Sequence, residues 1–427
     1  MRSSRVIAAI AIAVGTVTAA AACSGGSSSS STSASASTSA TSATLTWWND
    51  ATSGSLRSVW RSVIKSFEAS HPGVTIQNLP HQDEQFTTAI PLALQSDDPP
   101  DIYQQWGGGQ EAAQIKSGKL TNLTASVSSW IGQLGHAVAG WQVNGQQYGI
   151  PYDMHVVGFW YRKDIFAAAG ITSPPKTIDQ LETDDKLLQK YGVTPIAIGS
   201  KDTAQAADWW EYFALRECPT QTIEKAMTLV TLSATCFSKA SAVLTAFMST
   251  TPFNATNVQQ GPGSSASLVA NGKAAMELQG DWDPSVIESL TANKDIASEL
   301  GWFPFPTVPG GQGNPTTVLG GGDGFSCTTA AAEPACSEFL RYLDTAAVQQ
   351  MIARAGAGLP ANAAAVRAIS QAERGAEATY RGAGFVATYF DVALPPQPGQ
   401  NLDNAVSNYF TGQGTLPQIV ASVNGPA

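Results

Sequence analysis

The sequence predicts an α/β protein built as two domains. The first structured stretch reads strand, helix, strand, the sequence sign of a parallel sheet with crossover helices. The same alternation continues to the end of the chain. The chain has 427 residues. The part after residue 43, about 380 residues, is too long for one ordinary domain and suits two.

Leu45-Thr46-Trp47-Trp48 is rich in residues that fit a pleated surface and reads as a strand. Asn49 to Gly54 is a polar loop. Leu56, Val59, Trp60, Val63, Ile64 and Phe67 then recur at three- and four-residue steps, which marks an amphipathic helix. His71-Pro72-Gly73 stops it, and Val74-Thr75-Ile76 opens the next strand. Asp101-Ile102-Tyr103 is a short strand, and Val156 to Tyr161 is another. A helix begins at Asp164 and closes at Gly170. Ile196-Ala197-Ile198 and Ala274 to Leu278 are further strands. Phe339, Leu340, Leu343, Val348, Met351 and Ile352 mark the inner face of a late helical region. Trp60 and Trp160 fall within apolar rhythm and are expected in the core. No internal repeat is evident.

The leader carries its own signal. Arg2 and Arg5 precede an apolar run from Val6 to Val17, then Ala20-Ala21-Ala22 and Cys23. That is the layout of a secretory signal peptide over 1–22. The cysteine at the expected first mature position resembles the bacterial lipoprotein signal, although Ala20 stands where that pattern usually has Leu. Lipidation of Cys23 is therefore expected, with a membrane held through that anchor and the protein outside the cell. Residues 24–43 are only Ser, Gly, Thr and Ala. With Cys23 they form a flexible linker over 23–43, with a reach of roughly 20–30 Å.

The formal net charge of −10 argues against nucleic acid and against anionic lipid as partners. Four cysteines remain after Cys23, at 218, 236, 327 and 336. In an exported chain they read as two disulfides, Cys218–Cys236 and Cys327–Cys336, each closing a short loop. Zinc cysteines usually come in C-x-x-C pairs, which this chain lacks. No metal and no cofactor is expected. Gly320-Gly321-Gly322-Asp323-Gly324 lacks the Lys-Ser/Thr ending of a phosphate loop.

A family resemblance runs along the whole mature chain. It is carried by Phe67 to Val74, by Pro100 to Tyr103 with Trp106-Gly107-Gly108, and by Tyr148 to Tyr152. Gly158 to Phe166, Ala169-Gly170-Ile171 and Pro174 to Thr177 continue it. Gly272 to Met276 with Gly280-Asp281-Trp282, Phe303 to Pro306, Gly320 to Gly324 and Gly356 to Pro360 complete it. In this order the motifs resemble the extracellular sugar-binding proteins that serve ABC importers, the group related to maltose-binding protein. The resemblance implies a two-lobe, periplasmic-binding-protein-like fold with a ligand cleft and several hinge crossings. By the same analogy the first lobe holds 45–154 and 303–360, and the second 155–302 and 361–427. It implies a monomer that passes its sugar to the importer's membrane subunits.

A sugar presents paired hydroxyls and an apolar ring face, so its site needs planar hydrogen-bonding groups and flat aromatic platforms. The chain has 11 Trp against 15 Phe, and several Trp stand beside polar or glycine-rich positions. Asn49 and Asp50 follow the first strand, where ligands collect in open α/β folds. Gln105 and Trp106 precede three glycines. Asp153 and His155 stand at the expected crossing, and His155 is isolated from the other histidines. Trp209 or Trp210 is a candidate platform, with Trp209 preferred. Asp281-Trp282 pairs a carboxylate with an aromatic after a strand and is the central expectation. Asp323 in its glycine run and Asp403 complete the candidates.

The expected function is capture of a short oligosaccharide without turnover; the chain most resembles binders of plant-derived sugars, with xylobiose or a similar xylo-oligosaccharide the first choice and cellobiose and related disaccharides left open. The alternative is a secreted glycosidase acting on plant-derived oligosaccharides. That chemistry needs two carboxylates about 5 Å or 6.5–9.5 Å apart. Glu277 with Asp281, or Asp50 with Asp323, are conceivable pairs, but nothing in the sequence joins them. A pure adhesion protein is the third class, and tight binding of a small soluble sugar would argue against it.

Overall fold

The computed structural model describes residues 42–52, 54–81, 83–200, 203–254 and 264–424. Cys23, the leader before it and the linker as far as residue 41 lie outside the described residues.

The helix expected from the apolar spacing runs Gly54–Ser70 and buries Trp60, Val63 and Phe67. The first strand, Ala43–Asn49, starts two residues before the sequence suggested. Its inward residues Leu45 and Trp47 are fully buried. The Trp47 ring meets Trp60 at 5.2 Å and Phe325 and Phe339 at 5.1 Å, all edge-on. Such pairs add about 0.5–1.5 kcal/mol each beyond the area they bury. A second core gathers Phe159, Trp209, Phe247 and Phe305.

Two sheets organise the molecule into two lobes. The first has the order Val74–Pro80, Ala43–Asn49, Ile102–Gln105, Gly324–Cys327, Gly149–Pro151. The second has the order Phe385–Thr388, Thr317–Gly321, Asp153–Arg162, Ala274–Gly280, Thr194–Ala197. The expected parallel pairing holds within the opening strands and between Thr194–Ala197 and Ala274–Gly280. Elsewhere the sheets are mixed. The strand Asp153–Arg162 enters from the first lobe and runs antiparallel to Ala274–Gly280 and Thr317–Gly321. Gly324–Cys327, coming back, runs antiparallel to both its neighbours. The segment 303–321, grouped with the first lobe by resemblance, pairs into the second sheet through Thr317–Gly321.

Both cysteine pairs meet. Cys218 and Cys236 have Cα atoms 5.2 Å apart, and Cys327 and Cys336 6.2 Å apart, within the span of a disulfide. The second ties a strand of the first sheet to the helix Glu333–Leu343. Among the described residues no helix is long and apolar enough to cross a membrane.

Candidate functional site

The chain passes between the sheets at Tyr152, again at Gly322-Asp323, and near Leu359-Pro360, and these crossings touch. Tyr152 N donates to Asp323 O at 2.8 Å, and Asp323 N donates to Asp153 Oδ1 at 2.8 Å. Leu359 and Pro360 pair with Met154 and Asp153. The crossings carry a compact polar cluster. His155 Nδ1 lies 3.2 Å from Asp281 Oδ1, and Nε2 lies 3.2 Å from Asp153 Oδ1 and 3.3 Å from Asp323 Oδ2. Tyr152 Oη donates to Asp323 Oδ2 at 3.3 Å. The Trp282 ring stands edge-on to His155 at 4.7 Å.

The electrostatics follow from burial and crowding. Burial alone lowers the His155 pKa, but the Asp153 and Asp281 carboxylates outweigh it and hold it well above 6.5. Burial pushes Asp153 up, and the charge of His155 pulls it back only part of the way, to about 7. Tyr152 is raised by burial and then by Asp323, Asp153 and Asp50. Tyr389 is raised by burial and then by Asp208, Asp281 and Asp323. Two polar atoms here, Asp153 Oδ2 and Tyr389 Oη, are buried without a hydrogen-bond partner among the described residues.

The cluster joins five of the residues picked from sequence, Asp153, His155, Asp281, Trp282 and Asp323, and Asp50 acts on the same Tyr152. Asp281 differs from its expected part. It is fully buried, and its oxygens accept from Val156 N and Leu359 N at 2.9 Å each as well as facing His155. Its acceptors are engaged by the protein, so it ties the crossings together. Asn49 is also turned inward: Nδ2 donates to Asn78 Oδ1 at 2.5 Å and Oδ1 accepts from Ala51 N. Gln105 is buried and shapes its loop, its Oε1 accepting from Trp106 N at 2.8 Å and Gly107 N at 2.9 Å. Trp106 is half-buried with its edge on Phe86.

Trp209 does not reach the crossings. It is 0% exposed and packed against Phe159, Phe247, Phe253 and Phe305. Trp210 is equally buried, its Nε1 donating to Ser241 Oγ. The helix Thr203–Glu217 is covered nearly all round, so helical spacing has no open face to report. Asp403 sits apart, in a second acidic group with Glu211 and Asp391. Burial and the charges of Asp208, Asp391 and Asp403 push Glu211 well above the usual carboxylate range. Asp153, His155 and Asp323 place three ligand atoms within 4.8 Å of one another, as do Glu211, Asp391 and Asp403. In the first set the charge on His155 already answers the carboxylates.

Sequence reasoning missed Tyr152, Tyr389 and Trp141. Trp141 is buried, and its ring runs from beside Gly107 to beside Gly322, joining the Gln105–Gly107 loop to the crossing. Tyr152 ends the Tyr148–Tyr152 motif, whereas Tyr389 and Trp141 sit in no local pattern that distinguishes them from core. A small cavity of about 110 Å³ opens beside Asp281, bounded by Ser285, Glu288, Arg354, Gly356 and Glu373. The conceivable hydrolytic pair Glu277 and Asp281 does not form an open acid–base site. Glu277 is fully buried, raised by burial to about 7, and Asp281 is engaged as above.

The fold and site define a two-lobed binding protein. The chain belongs to the bacterial extracellular solute-binding protein family, whose pattern matches residues 51–350. An uncharacterized ABC transporter extracellular-binding protein of Pyrococcus horikoshii is 27% identical over 317 residues, 71% of this chain and 67% of that one. The diacetylchitobiose-binding protein DasA of Streptomyces coelicolor is 28% identical over 181 residues, 40% of this chain and 39% of that one. Among solved structures, one from work on xylan utilization by Caldanaerobius polysaccharolyticus superposes with a TM-score of 0.82 at 23% identity, covering 89% of this chain and 99% of that one. A chitin oligosaccharide binding protein gives 0.78 at 22% identity, covering 89% and 96%.

Proposed function

We propose that the protein captures a short, uncharged oligosaccharide, xylobiose or a similar xylo-oligosaccharide, between its lobes. It then delivers the sugar to the membrane subunits of an ABC importer. The observation that carries this reading is the pair of buried, unpartnered atoms Asp153 Oδ2 and Tyr389 Oη, gathered beside the crossings with the Trp282 ring. A buried polar atom without a partner costs free energy, and incoming hydroxyls supply both a donor and an acceptor. Trp282 serves as the stacking platform. Asp50, Asp153 and Asp323 meet hydroxyls, His155 holds the Asp153 and Asp323 carboxylates in place, and Trp106 is a second platform. Asn49, Gln105 and Asp281 hold the walls in place.

Membership of the solute-binding family supports binding without turnover. The importer role draws on the Pyrococcus relative, and the sugar class on the xylan-related and chitin-related proteins. The protein acts as a monomer on the outer face of the cell membrane, tethered by lipid on Cys23 after removal of 1–22. The lobes are those of the two sheets, with 45–154 in the first and 155–302 and 361–427 in the second. A thermal-shift panel of mono-, di- and trisaccharides tests the function. A sugar at a hundred times its Kd should stabilise by about 2.7 kcal/mol. Flat response across the panel would exclude the reading.

A further inference from the structure

The two lobes meet at a seam made of bare backbone. The helix Gly108–Ile115 follows strand Ile102–Gln105 of the first sheet, and the helix Phe390–Ala393 follows strand Phe385–Thr388 of the second. A Cβ added at Gly109 would stand 2.5 Å from the carbonyl oxygens of both Ala393 and Leu394, and 2.6 Å from Leu394 C. At Gly108 it would stand 2.6 Å from Val392 O. Real Cβ atoms essentially never approach backbone so closely, and a carbonyl on a packed helix cannot swing aside as a side chain can. A side-chain hydrogen bond crosses beside them, Gln110 Nε2 donating to Asp391 O at 3.4 Å. Gly356 faces Ser285 in turn, its added Cβ 3.2 Å from Ser285 Cβ.

We propose that Gly108 and Gly109 are positioning residues that set how far the lobes close on a captured ligand. The inference rests on the sugar-capture reading for its ligand, but the seam itself is a property of the chain. Glycine here has no partner to bind and no core to fill. Its contribution is the missing Cβ, which lets carbonyls of the opposite lobe come into van der Waals contact. Where the lobes meet through backbone in van der Waals contact, a small obstacle at the seam moves the open–closed equilibrium directly.

Gly109 allows a clean separation of fold from closure. Gly108 has φ +63°, so any side chain there strains the backbone as well. Gly109 has no such restriction, and the three atoms nearest its added Cβ all belong to the opposite lobe. With the lobes parted, Gly109→Ala places a good helix former in a helix. The ligand-free variant should therefore melt no lower than the parent. Affinity for the tightest of xylobiose, cellobiose and diacetylchitobiose should nevertheless fall about tenfold or more, a coupling of ordinary allosteric size. Small-angle scattering at saturating sugar should show the parent compacting and the variant staying extended. Gly132→Ala, at a position with nothing within 4 Å, should match the parent in every assay.

A Gly109→Ala variant that binds within about twofold of the parent and compacts normally would overturn the proposal. So would a lowered melting temperature without sugar, which would make Gly109 a packing residue of the resting fold. If no sugar binds the parent, the sugar reading fails, and closure is then read without ligand. Small-angle scattering of the sugar-free proteins then tests it: the parent should be more compact than Gly109→Ala, and equal radii would refute the seam.

Discussion

Replacing Asp281 by alanine separates a residue that holds the crossings from one that holds a sugar. Its carboxylate accepts Val156 N and Leu359 N at 2.9 Å each and faces His155 Nδ1 at 3.2 Å, all without exposure to solvent. Asp281→Ala strands two buried N–H donors, each costing roughly 1–3 kcal/mol, so the fold should lose roughly 2–6 kcal/mol. It also removes one carboxylate that stabilises the charged His155. Asp281→Asn keeps one acceptor oxygen and should lose about half as much. Urea denaturation of parent and variants, followed by tryptophan fluorescence, reads the difference. A direct sugar contact behaves otherwise: affinity falls by about 1.5–3 kcal/mol while the ligand-free fold is untouched. If Asp281→Ala costs less than about 1 kcal/mol of stability yet weakens sugar binding tenfold, the tie between crossings is the wrong account.

Glu111 is wholly buried in the helix Gly108–Ile115, and burial raises its pKa to about 8. A carboxyl whose folded pKa is raised keeps a proton the unfolded chain sheds, so its stabilising effect is full below about pH 4.5 and is lost as pH rises toward 8. Glu111→Gln should flatten that fall and stabilise the protein at pH 8 by roughly 1–3 kcal/mol, measured by denaturation at pH 5 and pH 8; an unchanged pH profile would exclude a neutral Glu111. His155 has its pKa raised too, so its stabilising charge is complete below about pH 6.5 and is lost in alkali; His155→Gln should cost stability at pH 6 and less at high pH. Reduction of both disulfides should lower stability by roughly 2–4 kcal/mol per bridge, and peptide mapping should find Cys218 with Cys236 and Cys327 with Cys336. Mass analysis of the membrane fraction should show acyl chains on Cys23, and a mature protein wholly in the medium with another N-terminus would exclude the anchor.

Local pattern made much of the fold legible. The helix Gly54–Ser70 followed from three- and four-residue apolar spacing, and the first strand from Leu45 to Trp48. Residues 153 and 155 were readable as crossing positions because they follow Gly149-Ile150-Pro151-Tyr152. What local pattern cannot hold is a partner far along the chain. The donors that engage Asp281 lie 125 and 78 residues away in sequence, so an Asp-Trp pair after a strand looked like a free sugar contact. Trp209 misled for a different reason. A helix buried on nearly every side offers no polar face against which to judge its aromatics. Tyr389 gave no signal because its meaning lies in the carboxylates that surround it, Asp208, Asp281 and Asp323.

Titration calorimetry of the purified protein with xylobiose, cellobiose and diacetylchitobiose, repeated on Trp282→Ala, tests the central claim of sugar capture at the crossings. One sugar should bind with one site per chain, and Trp282→Ala should keep the fold while losing about 2 kcal/mol or more of affinity, as truncation of an aromatic anchor does. Absence of binding by the parent at millimolar sugar, or a Trp282→Ala variant within about twofold of the parent, would contradict it.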